Sequence, residues 1–178
     1  YAAPANPQIV HADKHYLAFN PLTPGTLYEC NDGGVYKSTN GGLTWTDISN
    51  GLVIGQMYSI SNAQTSSDVM LAGLQDNGSI GYDQGSWVQV TGGDGMVCHI
   101  DPVNPNYVYT SYANGVLYRL TVSPPSFTTI SENIPGGQQQ GQWVTPYRLD
   151  PVDPAVIYAG YEGLYRSGNR GDTWTLQG

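Results

Sequence analysis

The chain reads as an all-β protein in which one four-stranded antiparallel unit is repeated four times. Three observations predict this. Gly (23) and Pro (12) make up about a fifth of the 178 residues, a composition suited to many tight turns. No stretch of useful length carries the 3.6-residue apolar period of an amphipathic helix. The chain also repeats itself, with a closing aromatic at Trp45, Trp87, Phe127 and Trp174, spaced by 42, 40 and 47 residues. A period of about 40–50 residues with four short strands per unit is the sequence signature of a β-propeller.

The clearest repeat is S-x-N-x-G-x-T-W, found at residues 38–45 and 167–174. Before each copy runs an apolar strand with a Tyr (Tyr36, Tyr165), and before that a proline-bearing turn (Pro21 and Pro24; Pro151 and Pro154). Two degenerate copies follow the same order in the middle of the chain, one with the prolines Pro102 and Pro105 and one without them. The expected layout is a leader at 1–10, then blades at 11–50, 51–92, 93–136 and 137–178, all in one propeller domain. In the first blade, strands A to D fall at 16–19, 27–30, 35–37 and 44–48. Prolines cannot donate to a ladder, so the A–B turns carry them. The B–C turns carry Asp32, Asp76, Asn114 or Glu162 shortly before a Gly, the composition of hairpins that need positive φ. Residues 138–142 read as a polar loop between the third and fourth blades.

Each repeat owns its D strand, including 173–177 in the last, although 7–10 is an alternative closing strand. The chain is therefore either a closed four-bladed ring or, preferably, an arc of a larger propeller. An arc leaves apolar blade faces for further blades or another subunit to cover.

The S-x-N-x-G-x-T-W segments resemble the Asp boxes of bacterial sialidases, sortilin-like propellers and two-propeller xyloglucanases. The whole pattern, over residues 11–178, is similar to secreted sortilin-like, glycosyl-hydrolase-like repeat proteins with BNR-type (Asp-box) blades. The resemblance implies structural roles for Ser38, Asn40, Gly42, Thr44 and Trp45, and for Ser167, Asn169, Gly171, Thr173 and Trp174. Asn40 and Asn169 would bond the turn backbone, Gly42 and Gly171 would take the unusual φ, and the tryptophans would pack between blades. In that family the box lies away from the ligand face. Sialidases use three arginines on a carboxylate, whereas Arg148 is the one basic residue near the inner strands, which argues against sialidase activity.

Strand alternation puts the A-strand starts and B–C turns on one face, and the A–B turns and boxes on the other. The first face collects Asp13 and Asp94 before their A strands, with Asp32, Asp76 and Glu162 in B–C turns. His11 and His15 flank Asp13 on the same edge. Asp13, Asp76 and Asp94 are the candidate acid and base of a glycosidase, which needs two carboxylates about 5–10 Å apart. Tyr58, Tyr112, Trp143, Tyr147 and Tyr161, near A starts or B ends, are candidate stacking platforms for sugar rings. Plain alternatives accompany each reading: Asp before Gly is ordinary turn chemistry, and Tyr and Trp also pack blades together. The H-x-D-x-H run suits a hydrogen-bonded mouth better than a transition metal, and no metal or other cofactor is expected. Asn77 to Ser79 matches the N-glycosylation sequon.

Fourteen acidic residues against six basic ones give a net charge of -8. That balance disfavours nucleic acid and anionic membranes and suits neutral glycans, cations or basic protein partners. No apolar run is long enough to span a bilayer. Cys30 and Cys98 fall two blades apart and are expected to be buried free thiols. The sequence, opening at Tyr1, reads as cut from a longer or processed precursor. Low Lys with abundant Ser, Thr, Asn, Gly and Tyr leans toward a secreted or cell-surface protein. Three functions fit: a recognition or scaffold module binding glycan or protein on the acidic face, part of a glycoside hydrolase, or a structural subunit of an extracellular assembly.

Overall fold

The computed structural model describes residues 7–52 and 55–177; residues 1–6 of the expected leader lie outside the described residues. Four antiparallel sheets of four strands account for the regular structure, each a simple meander in chain order. Blade 1 comprises β1 (Lys14–Phe19), β2 (Leu27–Asn31), β3 (Gly34–Ser38) and β4 (Thr46–Asp47). Blade 2 comprises β5 (Met57–Asn62), β6 (Val69–Leu74), β7 (Gly78–Asp83) and β8 (Ser86–Gln89). Blade 3 comprises β9 (Gly95–Ile100), β10 (Tyr107–Tyr112), β11 (Val116–Thr121) and β12 (Ser126–Thr129). Blade 4 comprises β13 (Tyr147–Leu149), β14 (Ile157–Gly160), β15 (Leu164–Ser167) and β16 (Thr175–Leu176). No helix among the described residues is long and apolar enough to cross a membrane. The chain divides into two compact units, Tyr1–Gln56 with blade 1 and Met57–Gly178 with blades 2 to 4.

One register recurs in every blade. After the outer strand, a backbone amide returns to the first or second residue of the third strand: Ile48 to Val35 (2.9 Å), Val90 to Ser79 (2.7 Å), Ile130 to Leu117 (2.9 Å) and Gln177 to Leu164 (2.8 Å). Three residues before each of these amides stands Trp45, Trp87, Phe127 or Trp174. The four closing aromatics are thus equivalent in structure. At the other end of the sheets of blades 1, 3 and 4, Asn20, Asp101 and Asp150 each accept the amide two residues on, at 2.9 Å in all three cases. These Asx turns are why a short polar side chain precedes the proline there.

The two S-x-N-x-G-x-T-W loops fold alike. The Ser38 hydroxyl accepts the Gly42 amide (2.9 Å), and the Asn40 Oδ1 accepts the Thr44 amide (2.9 Å). Ser167 and Asn169 do the same for Gly171 (2.8 Å) and Thr173 (2.9 Å). Gly42 and Gly171 both adopt φ of 90°. Each loop is held to its own A–B turn, through Gly41 to Gly25 (2.9 Å) and Arg170 to Ala155 (2.8 Å), so loops and A–B turns share one end of the blade.

In the larger unit, blade 3 lies between blades 2 and 4. Its contact with blade 4 is the best filled: Tyr109, Leu117, Ile130 and Ile134 meet Tyr147, Ile157, Ala159 and Trp174, all buried. The Trp174 indole donates to the Ile130 carbonyl at 2.9 Å. Arg170 reaches across as well, stacking 4.0 Å over the Tyr107 ring and pairing with the fully buried Asp101. Nearer the inner edge, His99 donates to the Tyr147 carbonyl (3.1 Å) and meets the Tyr147 ring edge-on. Burial lowers the His99 pKa, opposed by the Tyr147 carbonyl and assisted by the positive Arg148. Blades 2 and 3 share a smaller buried cluster, Ala63 and Leu71 with Cys98 and Ile100, and also meet backbone to backbone. A Cβ on Gly73 would lie 1.9 Å from the Met96 carbonyl oxygen, and one on Gly95 2.1 Å from that of Gly78.

Residues 7–10, the alternative closing strand, form no strand; the Pro7 carbonyl accepts the Trp45 amide at 2.7 Å and ties this segment to blade 1. Trp45 is half-buried there, whereas Trp174 is enclosed by a neighbouring blade. Both cysteines are free thiols, but only Cys98 is buried and Cys30 is half-exposed. Cys98 donates to the Leu71 carbonyl at 3.2 Å, and its burial pushes the thiol pKa up.

Trp174→Ala is expected to cost about 3–5 kcal/mol, because it empties a filled contact. Phe127→Ala, at the equivalent position but 52% exposed, should cost less than about half of that; chemical unfolding monitored in both variants measures the difference. His99 binds its proton less readily when folded, so the unfolded chain carries more protons as pH falls through about 6.5. Its contribution is complete above that pH and is lost below it. An unfolding series across pH 5–8 should show the wild type losing stability relative to His99→Asn at the acid end.

Candidate functional site

The expected ligand face is built by B–C turns and the segments that lead into the next blade. In the larger unit these two elements bind each other. The Gly78 amide donates to the Gly93 carbonyl at 2.6 Å, and the Asp76 amide to the Asp94 carboxylate at 3.0 Å. One blade further on, the Gly141 amide donates to the Asn114 carbonyl (3.0 Å) and the Asn114 amide to that of Trp143 (3.3 Å). Asp76 and Asn114 hold φ near +60° to make these turns, a conformation that Asp and Asn tolerate better than most residues. Gly115 lies so close to the incoming segment that a Cβ would meet the Tyr161 ring at 2.5 Å and the Gly141 backbone at 3.1 Å.

Trp143 comes from this clamped segment and is 49% exposed. Its Nε1–H donates to the Tyr58 hydroxyl at 3.1 Å, and that hydroxyl donates to Gln75 Oε1 at 2.8 Å. The inner strand of blade 2, its B–C turn and the loop entering blade 4 are thereby joined. The indole is held through its Nε1–H while about half of the residue stays exposed. Tyr112, 38% exposed, lies against Gly93 on the same clamped segment as Asp94. Gln75 is the member that the sequence reading missed. Its position beside Asp76, in a polar run between two strands, was the available signal.

The other candidates separate. Tyr147 is buried and its hydroxyl donates to the Val97 carbonyl (3.1 Å), so it cannot stack on a ligand. Tyr161 donates to the Gly115 carbonyl at 2.5 Å, with burial raising its pKa, and serves to lock blade 4 to the turn of blade 3. Glu162 is exposed in the B–C turn of blade 4. Asp94 is half-buried and engaged with the Asp76 amide, so it holds a turn.

In the smaller unit, His11 is buried beneath Gly33, with Nδ1 against the Ala12 carbonyl at 3.1 Å. The exposed His15 pairs with Asp32, and the exposed Asp13 adopts φ of 53°. The two histidines thus have different settings, one inside and one outside. The buried Glu29 was also missed: it accepts from Asn31 (2.6 Å) and pairs with Lys14 (3.4 Å). It lines a groove of about 600 Å³ between residues 8–10, β1 and Trp45. Its only signal was an acid inside an otherwise strand-like run.

No family model matches this chain, and no curated protein does. Solved structures share its fold. A GH74 enzyme of Niastella koreensis superposes with a TM-score of 0.57 at 20% identity, covering 92% of this chain and 29% of that one. The GH74 xyloglucanase of Xanthomonas campestris gives 0.53 at 18% identity, over 93% and 30%. An auxiliary nutrient-binding protein of Bacteroides thetaiotaomicron gives 0.50 at 15% identity, over 92% and 41%. The chain therefore spans less than half the length of each of these proteins. At such identities the likeness is one of architecture, and with the four meander sheets it makes this chain a β-propeller.

Proposed function

We propose that this chain is the recognition part of a secreted propeller protein of the Asp-box type, binding a neutral glycan on its B–C-turn face. The observation that carries the reading is Trp143, a half-exposed indole oriented by Tyr58 and Gln75. A sugar ring stacks on such a surface through its C–H groups, and a platform already fixed in place loses little entropy on binding. Tyr112 offers a second aromatic surface, and the net negative charge of the chain suits an uncharged ligand. The likeness to a xyloglucanase supports a carbohydrate ligand. A cell-surface or extracellular location follows from the same reading.

The competing proposal is a portion of a glycoside hydrolase, favoured by the likeness to two GH74 enzymes. It needs an acid and a base among Asp13, Asp76 and Asp94. The use of Asp94 to hold the Asp76 amide supports the binding role instead, because a carboxylate occupied by a turn is poorly placed to exchange protons with a substrate.

Xyloglucan oligosaccharides, titrated by calorimetry or followed by tryptophan fluorescence, should bind the wild type, and Trp143→Ala should weaken them about tenfold while the chain stays folded, with its unfolding midpoint lowered only by the loss of one hydrogen bond. Equal affinity in the two proteins would remove Trp143 from the site. Incubation with the same sugars should release no new reducing ends. Release that Asp94→Asn abolishes would establish the hydrolase instead.

A further inference from the structure

The contact between blades 2 and 3 lacks what fills the contact between blades 3 and 4. In blade 4 the loop from Ser167 to Trp174 sends Arg170 and Trp174 onto blade 3, where Asp101, Tyr107 and the Ile130 carbonyl receive them. Blade 3 has a loop of the same length, from Leu120 to Phe127, in the same register, since Leu120 pairs with Phe127 in the ladder. Its residues are different. Ser123 stands where Arg170 would be, and Val122 and Pro124 replace the Asn and Gly of the motif. The receiving blade has changed too. The Ala63 amide bonds the Val69 carbonyl as that of Asp101 bonds Tyr107, so Ala63 and Val69 occupy the places of the acid and the aromatic ring.

The result is a groove of about 560 Å³ between the two blades. Its floor comprises Val69, Leu71, Val108 and Leu120, and Val88 and Val122 at its edge are 57% and 60% exposed. Gly81 opens into it with no side chain of its own. Its polar lining comprises Asn104 and Asn106 with Tyr82, Asp83 and Thr121, and Asp83 is exposed to solvent. This volume falls within the range of small-molecule sites, which combine apolar walls with a few polar groups.

We propose that this groove binds a small, uncharged, largely apolar molecule, its apolar body along Val69, Val108 and Leu120 and any polar end toward Asn104 and Asn106. The charge of the occupant follows from the comparison between the two contacts. The filled contact takes a guanidinium because Asp101 and Tyr107 stabilise it. With Ala63 and Val69 in those places, a cation on the floor of the groove would lose both partners that hold Arg170, and the exposed Asp83 offers it only a solvated contact. An anion is disfavoured by Asp83 beside the groove and by the net charge of -8. A neutral apolar group meets neither cost. This site is separate from Trp143 and does not depend on the glycan reading.

The test uses the full chain with N-phenyl-1-naphthylamine, an uncharged dye that brightens in apolar surroundings, and its anionic analogue 1-anilinonaphthalene-8-sulfonate. The neutral dye should bind saturably at one site per chain and the anion at least about fivefold more weakly. Gly81→Leu should reduce neutral-dye affinity about tenfold, because its side chain would occupy the groove while a Cβ meets only ordinary contacts at 3.5 Å (Val90) and 3.9 Å (Met70). Leu120→Trp, which fills the groove from the other blade, provides the second variant if Gly81→Leu fails to fold. Absence of saturable binding by the wild type, or undiminished binding in a folded filled variant, overturns the proposal. Equal binding of the two dyes overturns the assignment of a neutral ligand.

Discussion

The larger unit depends on one recurring contact, the grip between the B–C turn of a blade and the segment that enters the next. Gly78 with Gly93, and Asn114 with Gly141, are main-chain hydrogen bonds made where two backbones approach within the space of a missing Cβ. Such contacts cannot slide, because each donor and acceptor would be left without a partner in a partly buried place. They hold the B–C turn of one blade against the segment that enters the next. Trp143 and Asp94 project from the gripped segments. Their positions follow from the same bonds that assemble the blades, so the glycan surface proposed there would be organised before any ligand arrives.

The opposite end of the blades obeys a different rule. There the contact is made by side chains from the C–D loop, and its quality varies with the sequence of that loop. The intact motif of blade 4 delivers an indole and a guanidinium and closes the contact with blade 3. The altered loop of blade 3 delivers neither, and an apolar groove remains. A repeat protein can relax one copy of a motif in this way because each blade contacts only its neighbours. The loss stays local.

Much of this organisation was legible from the chain itself. The spacing of Trp45, Trp87, Phe127 and Trp174 announced four units, and the shared register of those residues is its physical cause. Asp76-Asn77-Gly78 and Asn114-Gly115 announced turns with positive φ because few other residues accept it. Side-chain fate was far less legible. Tyr58, Tyr147 and Tyr161 look alike in sequence, yet one orients Trp143, one is buried and one locks a neighbouring turn. The difference depends on which blade faces each ring, a fact of packing that strand periodicity does not encode. Glu29 and Gln75 escaped notice for a related reason: a polar residue within or beside a strand acquires its partners from other strands. The groove beside Gly81 was invisible because it consists of what a degenerate loop omits.

Amide hydrogen exchange tests the gripped-turn account most directly. Gly78 is the first residue of β7 and Gly141 lies in a loop, positions where strand ends and surface amides ordinarily exchange quickly, but here both donate to a neighbouring blade segment. Their exchange should be slowed to the level of strand amides such as those of Tyr109 and Ile157, well below that of the exposed hairpin residue Gly85. Rapid exchange at Gly78 and Gly141, with the strands protected, would contradict the claim that these turns hold the blades in register.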